Sequence, residues 1–421
     1  MEIKIQSTQF IKPSKLTPEV FRDFKLSILD QFAASSYINQ VFYYKTSCKV
    51  DIPDICGQLV NSLSEILTLF YPLAGRIRET ELEVDCSDQG VKYLETQVSI
   101  SLDKFFELGP KIDHIRRLIR APDQEKSALL IVQVNIFKCG SLVIGVSGSH
   151  KVTDAYNLVR FVNEWASLNR TGQTSGAFSI SFDNLDSVFP PKEIESFEDS
   201  PVIDKSQTKI VTKRFVFNGS IISKLRAKSG PRNPRHSRVT LVAAIIWKAI
   251  ISVDQVKSGS LRNSVLAPAI NLRGKTRLPI SESSFGNVWV PYSIRYLQNE
   301  MEPKFDNLVK LIENTTRDVI TRLLNATSEE ICKEAMACYA EVGEELKQNK
   351  FAIFTSWCNF PIYNADFGFG KPCWVSEAGR SLDMVTLMDD KHGDGIEAWV
   401  SLNEKDMSVF EQNEDILSVL S

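Results

Sequence analysis

The 421-residue sequence lacks the features of several large classes of protein. Its 49 lysines and arginines do not outnumber its 52 aspartates and glutamates, so a net charge of −3 gives no basic surface for nucleic acid phosphates. The longest apolar runs, LLIVQVNIF and LVAAIIWKAII, are shorter than the roughly 20 residues that cross a bilayer. We therefore expect small-molecule ligands, no nucleic acid and no membrane partner, and we interpret both runs as buried elements.

Closely spaced cysteine pairs are also missing. The eight cysteines form no CxxC pattern, in a chain too long to depend on disulfides. The first segment, MEIKIQSTQFIKPSK, carries charges where an export signal needs a continuous apolar stretch. These two absences predict a cytoplasmic protein with reduced thiols.

The length of the chain favours two domains, because a single core rarely grows beyond about 250–300 residues. Residues 171–209 lose apolar periodicity and are rich in Gly, Ser, Pro and acidic residues, as in a surface crossing. We predict an N-terminal domain over 1–190, a crossover linker over 191–210 and a C-terminal domain over 211–421. Strand-like and helix-like segments alternate in both halves, which indicates an α/β fold.

His150 lies at a change of pattern. The segments ALLIVQVNIF and SLVIGVSGS before it flank KCGS as strand, turn and strand, while the residues after it repeat at helical spacing. Loops at strand ends commonly carry function, and an ordinary imidazole, with a pKa of about 6.5, accepts protons near neutral pH. His150 is therefore a candidate general base, and a structural histidine is the alternative.

Asp154, four residues later, has two interpretations. It either orients the imidazole or caps the helix that begins at Ala155. A buried aspartate needs a cationic partner, for which Arg273 in AINLRGK is the candidate. No third ligand at a suitable spacing accompanies HxxxD, so a metal site is disfavoured.

Two other catalytic patterns are incomplete. DFG at residues 366–368 has neither the glycine-rich loop nor the lysine and HRD motifs of a kinase, and no GxSxG elbow supports a serine hydrolase. Phosphoryl transfer and serine-dependent hydrolysis are therefore rejected.

Six segments in order resemble the BAHD acyltransferases of plant specialised metabolism, and they extend over almost the whole chain. They are FYPLAGR (70–76), VDCSDQGV (84–91), HKVTD (150–154), NLRGK with LPISESSFGN (271–287), TSWCNFPIYNADFGFGKP (355–372) and GDGIEAWVSL (393–402). HxxxD alone is a weak pattern, whereas the ordered set is specific. With SILDQF, DCSDQG and the FEQNEDILSVL ending, the sequence is most similar to the branch of vinorine synthase and the salutaridinol and deacetylvindoline acetyltransferases.

This resemblance implies a cytosolic monomer with two α/β domains, each a mixed sheet flanked by helices, and an active-site channel between them. It implies transfer of an acyl group from acyl-CoA, a co-substrate rather than a permanently bound cofactor, with His150 as the general base. Asp154 would pair with Arg273 and hold the catalytic loop. Thr355 and Trp357 would line the site near the developing oxyanion, although a core tryptophan beside a polar residue is an equally good interpretation.

The resemblance also implies a structural motif on the CoA side of the site, formed by Asp366, Phe367, Gly368, Phe369 and Gly370. The sequence departs from the family pattern at two positions, with Ala155 where glycine is usual and Phe369 where tryptophan is usual. Acetyl-CoA and an alkaloid hydroxyl are the expected substrates. The alternatives are another acyl donor, a terpenoid, phenolic or amine acceptor, and a catalytically silent relative that binds a metabolite.

Overall fold

A computed structural model describes most of the chain. The described residues are 1–46, 51–78, 82–119, 128–175, 185–192, 209–230, 236–347 and 351–420. Cys48 and most of the expected linker over 191–210 lie outside them. The residues group into two compact units, the first of 1–192, 279–288 and 360–378 and the second of 193–278, 289–359 and 379–421.

The secondary structure confirms the α/β class. The strands are β1 (Ile3–Ile11), β2 (Asp23–Lys25), β3 (Tyr37–Tyr44), β4 (Arg76–Arg78), β5 (Glu83–Asp85), β6 (Val91–Val98), β7 (Leu130–Phe137), β8 (Leu142–Ser149), β9 (Ile210–Phe217), β10 (Ser264–Asn271), β11 (Trp289–Pro291), β12 (Ile294–Tyr296), β13 (Phe351–Ser356), β14 (Trp374–Ser376), β15 (Met384–Asp389) and β16 (Ile396–Asn403). The helices are α1 (Ile28–Phe32), α2 (Ile52–Leu69), α3 (Leu102–Glu107), α4 (Ile112–Ile115), α5 (Ala155–Thr171), α6 (Leu185–Val188), α7 (Gly219–Lys228), α8 (Arg238–Ser258), α9 (Phe305–Asn325), α10 (Ser328–Lys347), α11 (Glu404–Glu411) and α12 (Glu414–Leu420).

The first unit is built on a mixed sheet of order β1-β6-β7-β8-β3-β14, with β2, β5 and β4 in a smaller sheet. β6 and β7 are parallel, and the other neighbours in the larger sheet are antiparallel. β14 comes from late in the chain and pairs with β3. For this reason the DFGFG segment groups with the first unit, although the sequence-based boundaries assigned it to the C-terminal domain.

The hairpin predicted before His150 is confirmed as β7 and β8, and the predicted helix after it is α5. β8 is buried along its whole length. The apolar face expected for α5 is buried at Leu158, Val159, Val162, Trp165 and Ala166. A buried strand and a helix packed on one face thus hold the short connection that contains His150.

Gly145 in β8 lies where the chain leaves no room for a side chain. A Cβ atom there would approach the Leu118 carbonyl oxygen to 2.5 Å and the Ile119 Cβ to 2.9 Å. We expect Gly145→Ala to lower the free energy of unfolding by about 1–3 kcal/mol through overpacking. Gly57→Ala is the matched control, because nothing lies within 4 Å of the added atom in helix α2, and it should gain up to about 1 kcal/mol. Urea unfolding followed by tryptophan fluorescence measures both changes, and equal midpoints for the two variants would contradict the clash.

The second unit is also built on a mixed sheet, of order β11-β10-β13-β15-β16-β9, with β12 paired to β10. The segment VWVPYSIRYL, predicted as one strand, forms the two short strands β11 and β12. Both pair with β10 in one continuous register, and the gap between them lies opposite Pro268. Proline has no N–H to donate to the facing strand, which accounts for the interruption.

Helix α8 contains the second long apolar run. Of the described residues, it is the one helix long and apolar enough to cross a membrane by composition, and 56% of its most apolar window is buried inside the structure. It packs against the neighbouring helices and the sheet of the second unit. The run is therefore a buried element here, as the sequence indicates.

Candidate active site

The connection between β8 and α5 is a tight turn that fixes the backbone of His150. Its N–H donates to the carbonyl oxygen of Ser36 at 2.8 Å, while the N–H groups of Val152 and Thr153 both donate to Ser149. Val152 and Thr153 are fully buried, whereas His150 is half-buried. The turn therefore keeps Val152 and Thr153 inside and leaves the imidazole partly accessible.

The imidazole of His150 contacts Asn287, a fully buried residue of the same unit. His150 Nδ1 lies 3.0 Å from Asn287 Oδ1. The Asn287 amide nitrogen donates to the His150 carbonyl oxygen at 2.7 Å and to Asp30 Oδ1 at 2.9 Å. Since the amide hydrogens point at these two acceptors, the amide oxygen is the atom that faces the ring.

This orientation of Asn287 determines the tautomer of His150. A carbonyl oxygen only accepts hydrogen bonds, so Nδ1 must carry the proton in the contact. In a neutral imidazole the lone pair then belongs to Nε2. The arrangement thus supplies a proton acceptor at Nε2 and a bonded donor at Nδ1, which is the state that a general base requires.

Asp30 lies behind Asn287 and is almost completely buried. Its Oδ1 also accepts the backbone N–H of Asn287 at 2.8 Å, and its Oδ2 accepts the N–H and hydroxyl of Ser27 at 2.9 and 2.7 Å. Burial raises the pKa of Asp30 to about 6, although these hydrogen bonds lower it. Asp30 lies in SILDQF and Asn287 in LPISESSFGN, two segments that resemble the family, but the sequence alone predicts no role for either residue.

Asp154 is the N-cap of helix α5. Its Oδ1 accepts the backbone N–H of Asn157 at 2.8 Å, and its Oδ2 accepts that of Val288 at 3.1 Å. The residue is buried, so one carboxylate joins the start of the helix to the segment 279–288. These contacts correspond to the capping interpretation of Asp154.

The segment 279–288 is anchored to helix α5 at further points. The Asn157 side-chain amide donates to the carbonyl oxygens of Ser284 and Gly286 at 3.3 and 3.0 Å, and the Tyr156 hydroxyl donates to Glu282 at 2.9 Å. Gly286 has a φ of 113°, and a Cβ there would meet Leu185 at 3.0 Å. Glycine is therefore required beside Asn287.

Three of the predicted site residues belong to the second unit. Arg273 is buried, and its backbone N–H and guanidinium donate to Asn271 Oδ1 at 3.1 and 3.2 Å. Thr355 is in β13, and Trp357 follows that strand. The backbone N–H of Trp357 donates to the Leu387 carbonyl oxygen at 2.7 Å. The Arg380 guanidinium lies 5.7 Å from the centre of the buried Trp357 ring. The pairing of Arg273 with Asp154 and the oxyanion role of Thr355 and Trp357 stay predictions.

The DFGFG segment forms a turn closed by its own aspartate. Asp366 Oδ1 accepts the N–H groups of Gly368 and Gly370 at 2.9 and 3.0 Å, and both glycines have positive φ, 105° and 97°. Phe367 packs edge-on against Trp165 with ring centres 4.7 Å apart, and Phe369 packs edge-on against Tyr44 at 4.9 Å. The glycines are needed for this backbone, and the aromatic rings attach the turn to the first unit.

Metal ligands do not cluster in the part of the chain that the structure describes: no group of three or more His, Cys, Asp or Glu side chains there could hold an ion.

Comparisons with known proteins identify the family of the chain. A family model described as the Transferase family matches residues 1–417. The chain is 32% identical to stemmadenine O-acetyltransferase of Catharanthus roseus over 434 residues, covering 100% of the chain and 98% of that protein. It is also 32% identical to a limonoid 21-O-acetyltransferase of Melia azedarach over 429 residues, covering 100% and 99%. The crystal structure of vinorine synthase superimposes with a TM-score of 0.85 at 29% identity, covering 100% and 99%.

Proposed function

Since the chain belongs to the Transferase family, which includes the BAHD acyltransferases, we propose that it transfers an acetyl group from acetyl-CoA to a hydroxyl group of an alkaloid or related plant metabolite. That it is an acyltransferase follows from the family and from the relatives that it matches over their whole length. A solved structure of the same fold, TRI101 of F. sporotrichioides, is a complex with coenzyme A, which supports acyl-CoA as the co-substrate.

The observation that carries the proposal is the contact between His150 and Asn287. With the proton held on Nδ1, Nε2 accepts the hydroxyl proton of the acceptor as its oxygen attacks the thioester carbonyl carbon. The imidazole becomes positively charged in this step. Asn287 Oδ1 then accepts a stronger, charge-assisted hydrogen bond from Nδ1, which favours the protonated ring.

The rest of the reaction returns the proton. Attack forms a carbon–oxygen bond and a tetrahedral intermediate with a negatively charged oxygen. When that intermediate collapses, the carbon–sulfur bond breaks and the sulfur takes the proton from Nε2, so the products are an ester and free coenzyme A. No acyl-enzyme forms in this sequence, and His150 ends in its starting state.

The remaining site residues have supporting roles in the proposal. We assign stabilisation of the negatively charged oxygen to Thr355 and Trp357, because the family resemblance gives those positions a hydroxyl and an indole N–H near the reacting carbonyl. Asp154, with Arg273 as its partner, maintains the catalytic turn. Asp366 to Gly370 support the CoA side of the site as structure.

We infer the acceptor class from the names of the relatives. One is named for acetylation of stemmadenine and another for acetylation of a limonoid at the same 32% identity, so a terpenoid alcohol is the second candidate. We favour an alkaloid because the vinorine synthase structure also superimposes over the whole chain. A cytoplasmic location and a monomeric state, both predicted from the sequence, are part of the proposal.

A substrate panel tests this function directly. The purified protein is incubated with acetyl-CoA, malonyl-CoA or a hydroxycinnamoyl-CoA, each with an indole alkaloid alcohol, a limonoid alcohol, benzyl alcohol and a primary amine. Mass spectrometry reads the donor from the mass added and the acceptor from the product. We expect acetyl transfer to the alkaloid alcohol to have the highest kcat/KM.

Each other outcome has a definite meaning. If the protein prefers the limonoid alcohol or another acyl-CoA, the proposed substrate is wrong and the proposed acyl transfer is correct. Binding of acceptors without product from any donor would support the silent, metabolite-binding alternative and contradict the proposal.

A further inference from the structure

Asp30 makes more contacts than its place in helix α1 explains. Ser27 and Asp30 form a capping box, in which Asp30 Oδ2 accepts from the Ser27 backbone and hydroxyl. That local motif uses one carboxylate oxygen. The other oxygen accepts the backbone and side-chain N–H groups of Asn287, which is 257 residues away in sequence.

The buried carboxylate comes at a cost to folding. Removing a charged carboxylate from water is unfavourable, and this is the main reason why the pKa of Asp30 is raised to about 6. Burial lowers the pKa of Lys151 while the negative charge of Asp30 raises it, and the Lys151 ammonium donates to the Gln31 carbonyl oxygen at 2.7 Å. The capping box alone does not require this charge, because an uncharged glutamine serves at the same position of the box.

The charge does have a consequence for Asn287. If the Asn287 amide rotated by 180°, its oxygen would face Asp30 Oδ1, and two acceptors at about hydrogen-bond distance repel each other. The rotated amide would also present its N–H to Nδ1 of His150. That contact selects the opposite tautomer, in which Nε2 carries the proton and cannot accept another.

We propose that Asp30 is a positioning residue for acyl transfer, which acts through Asn287 to keep His150 in the tautomer with its proton on Nδ1. The expected effect of Asp30 on turnover rests on the proposed function. Its expected effect on the tautomer of His150 does not depend on that function. Asp30 does not touch a substrate, and it provides negative charge one amide away from the ring, which also favours the protonated imidazole.

Asp30→Asn tests the charge at nearly constant shape. We expect kcat for acetyl transfer to fall about 10- to 100-fold, with the KM values for acetyl-CoA and acceptor unchanged within about twofold, because only the proton-transfer step is impaired. Ser27→Ala is the matched control. It removes the serine side of the capping box and leaves the contacts of Asp30 with Asn287. Its kcat is measured above neutral pH, so that Asp30 stays charged although the Ser27 hydroxyl no longer lowers its pKa. It should lower thermal stability and keep kcat.

The tautomer is read by NMR of protein labelled with 15N-histidine. The sequence has four histidines, and the signals of His150 are identified by their loss in His150→Ala. Above neutral pH we expect the wild type and Ser27→Ala to show a protonated Nδ1. Asp30→Asn should show a shift toward a protonated Nε2.

The proposal is overturned if Asp30→Asn keeps both kcat and the Nδ1–H tautomer, or if Ser27→Ala loses kcat to the same degree. Should Asp30→Asn fail to fold, Asn287→Ala removes the connecting amide while Asp30 stays, and an unchanged tautomer in that variant would overturn the proposal equally. A wild-type protein with the Nδ1–H tautomer and no acyl transfer would contradict the proposed function and leave the positioning of His150 by Asp30 intact.

Discussion

His150→Ala loses about 10²- to 10⁴-fold in kcat and retains the KM for acetyl-CoA within about twofold. The loss corresponds to removal of a positioned general base. Nucleophilic attack on the thioester then depends on water as the proton acceptor, while the contacts that bind coenzyme A stay in place. Initial rates of product formation, measured by liquid chromatography with saturating acceptor, give both constants.

The control for this result is His392→Ala. His392 is exposed and lies in the second unit, so its removal deletes the same side chain without altering the turn between β8 and α5. We expect its turnover to equal that of the wild type. If His150→Ala and the wild type had equal kcat, His150 would have no part in proton transfer, and the alternative of a structural histidine would be correct.

Asp154→Ala lowers the free energy of unfolding by about 1.5–5 kcal/mol. Loss of a helix N-cap costs about 0.5–2 kcal/mol, and leaving the buried N–H of Val288 without an acceptor costs about 1–3 kcal/mol more. Asn218→Ala provides the comparison, because Asn218 caps helix α7 from an exposed position and should lose about 1 kcal/mol. Urea unfolding gives both values, and equal losses would mean that the bond from Val288 adds nothing.

A double-mutant cycle with Arg273→Ala tests the predicted ion pair in the same experiment. If Asp154 and Arg273 are partners, removing either strands a buried charge, and the double variant is less destabilised than the sum of the single variants. Additive losses would contradict the pairing and leave Asp154 as a cap alone.

Local patterns in the sequence predict the elements around His150 well. The alternation in LLIVQVNIF and LVIGVSGS predicts the hairpin, and the spacing from Leu158 to Ala166 predicts the buried face of α5. These signals are short-range, because each depends only on residues within one strand or one helical turn. His150 stands out for the same reason, as it lies where one period ends and the next begins.

The partners of His150 could not be found in this way. Asn287 lies 137 residues after His150 in the sequence, and Asp30 lies 120 residues before it. In its local sequence, Asn287 is typical of a turn residue and Asp30 of a helix-cap residue. No periodicity relates residues so distant, and the family resemblance gave their segments without their contacts. The grouping of the DFGFG segment with the first unit could not be found from local patterns either, because it depends on the long-range pairing of β14 with β3.

That pairing bears on how the protein is made. During synthesis from the N-terminus, β3 leaves the ribosome more than 300 residues before its neighbour β14, so the edge of the first sheet stays open while most of the polypeptide is still being translated. An exposed edge invites pairing with other nascent chains, and contacts this distant close slowly. A fragment that ends before residue 374 should therefore aggregate when it is released, since it lacks β14 of the first sheet as well as β15 and β16 of the second.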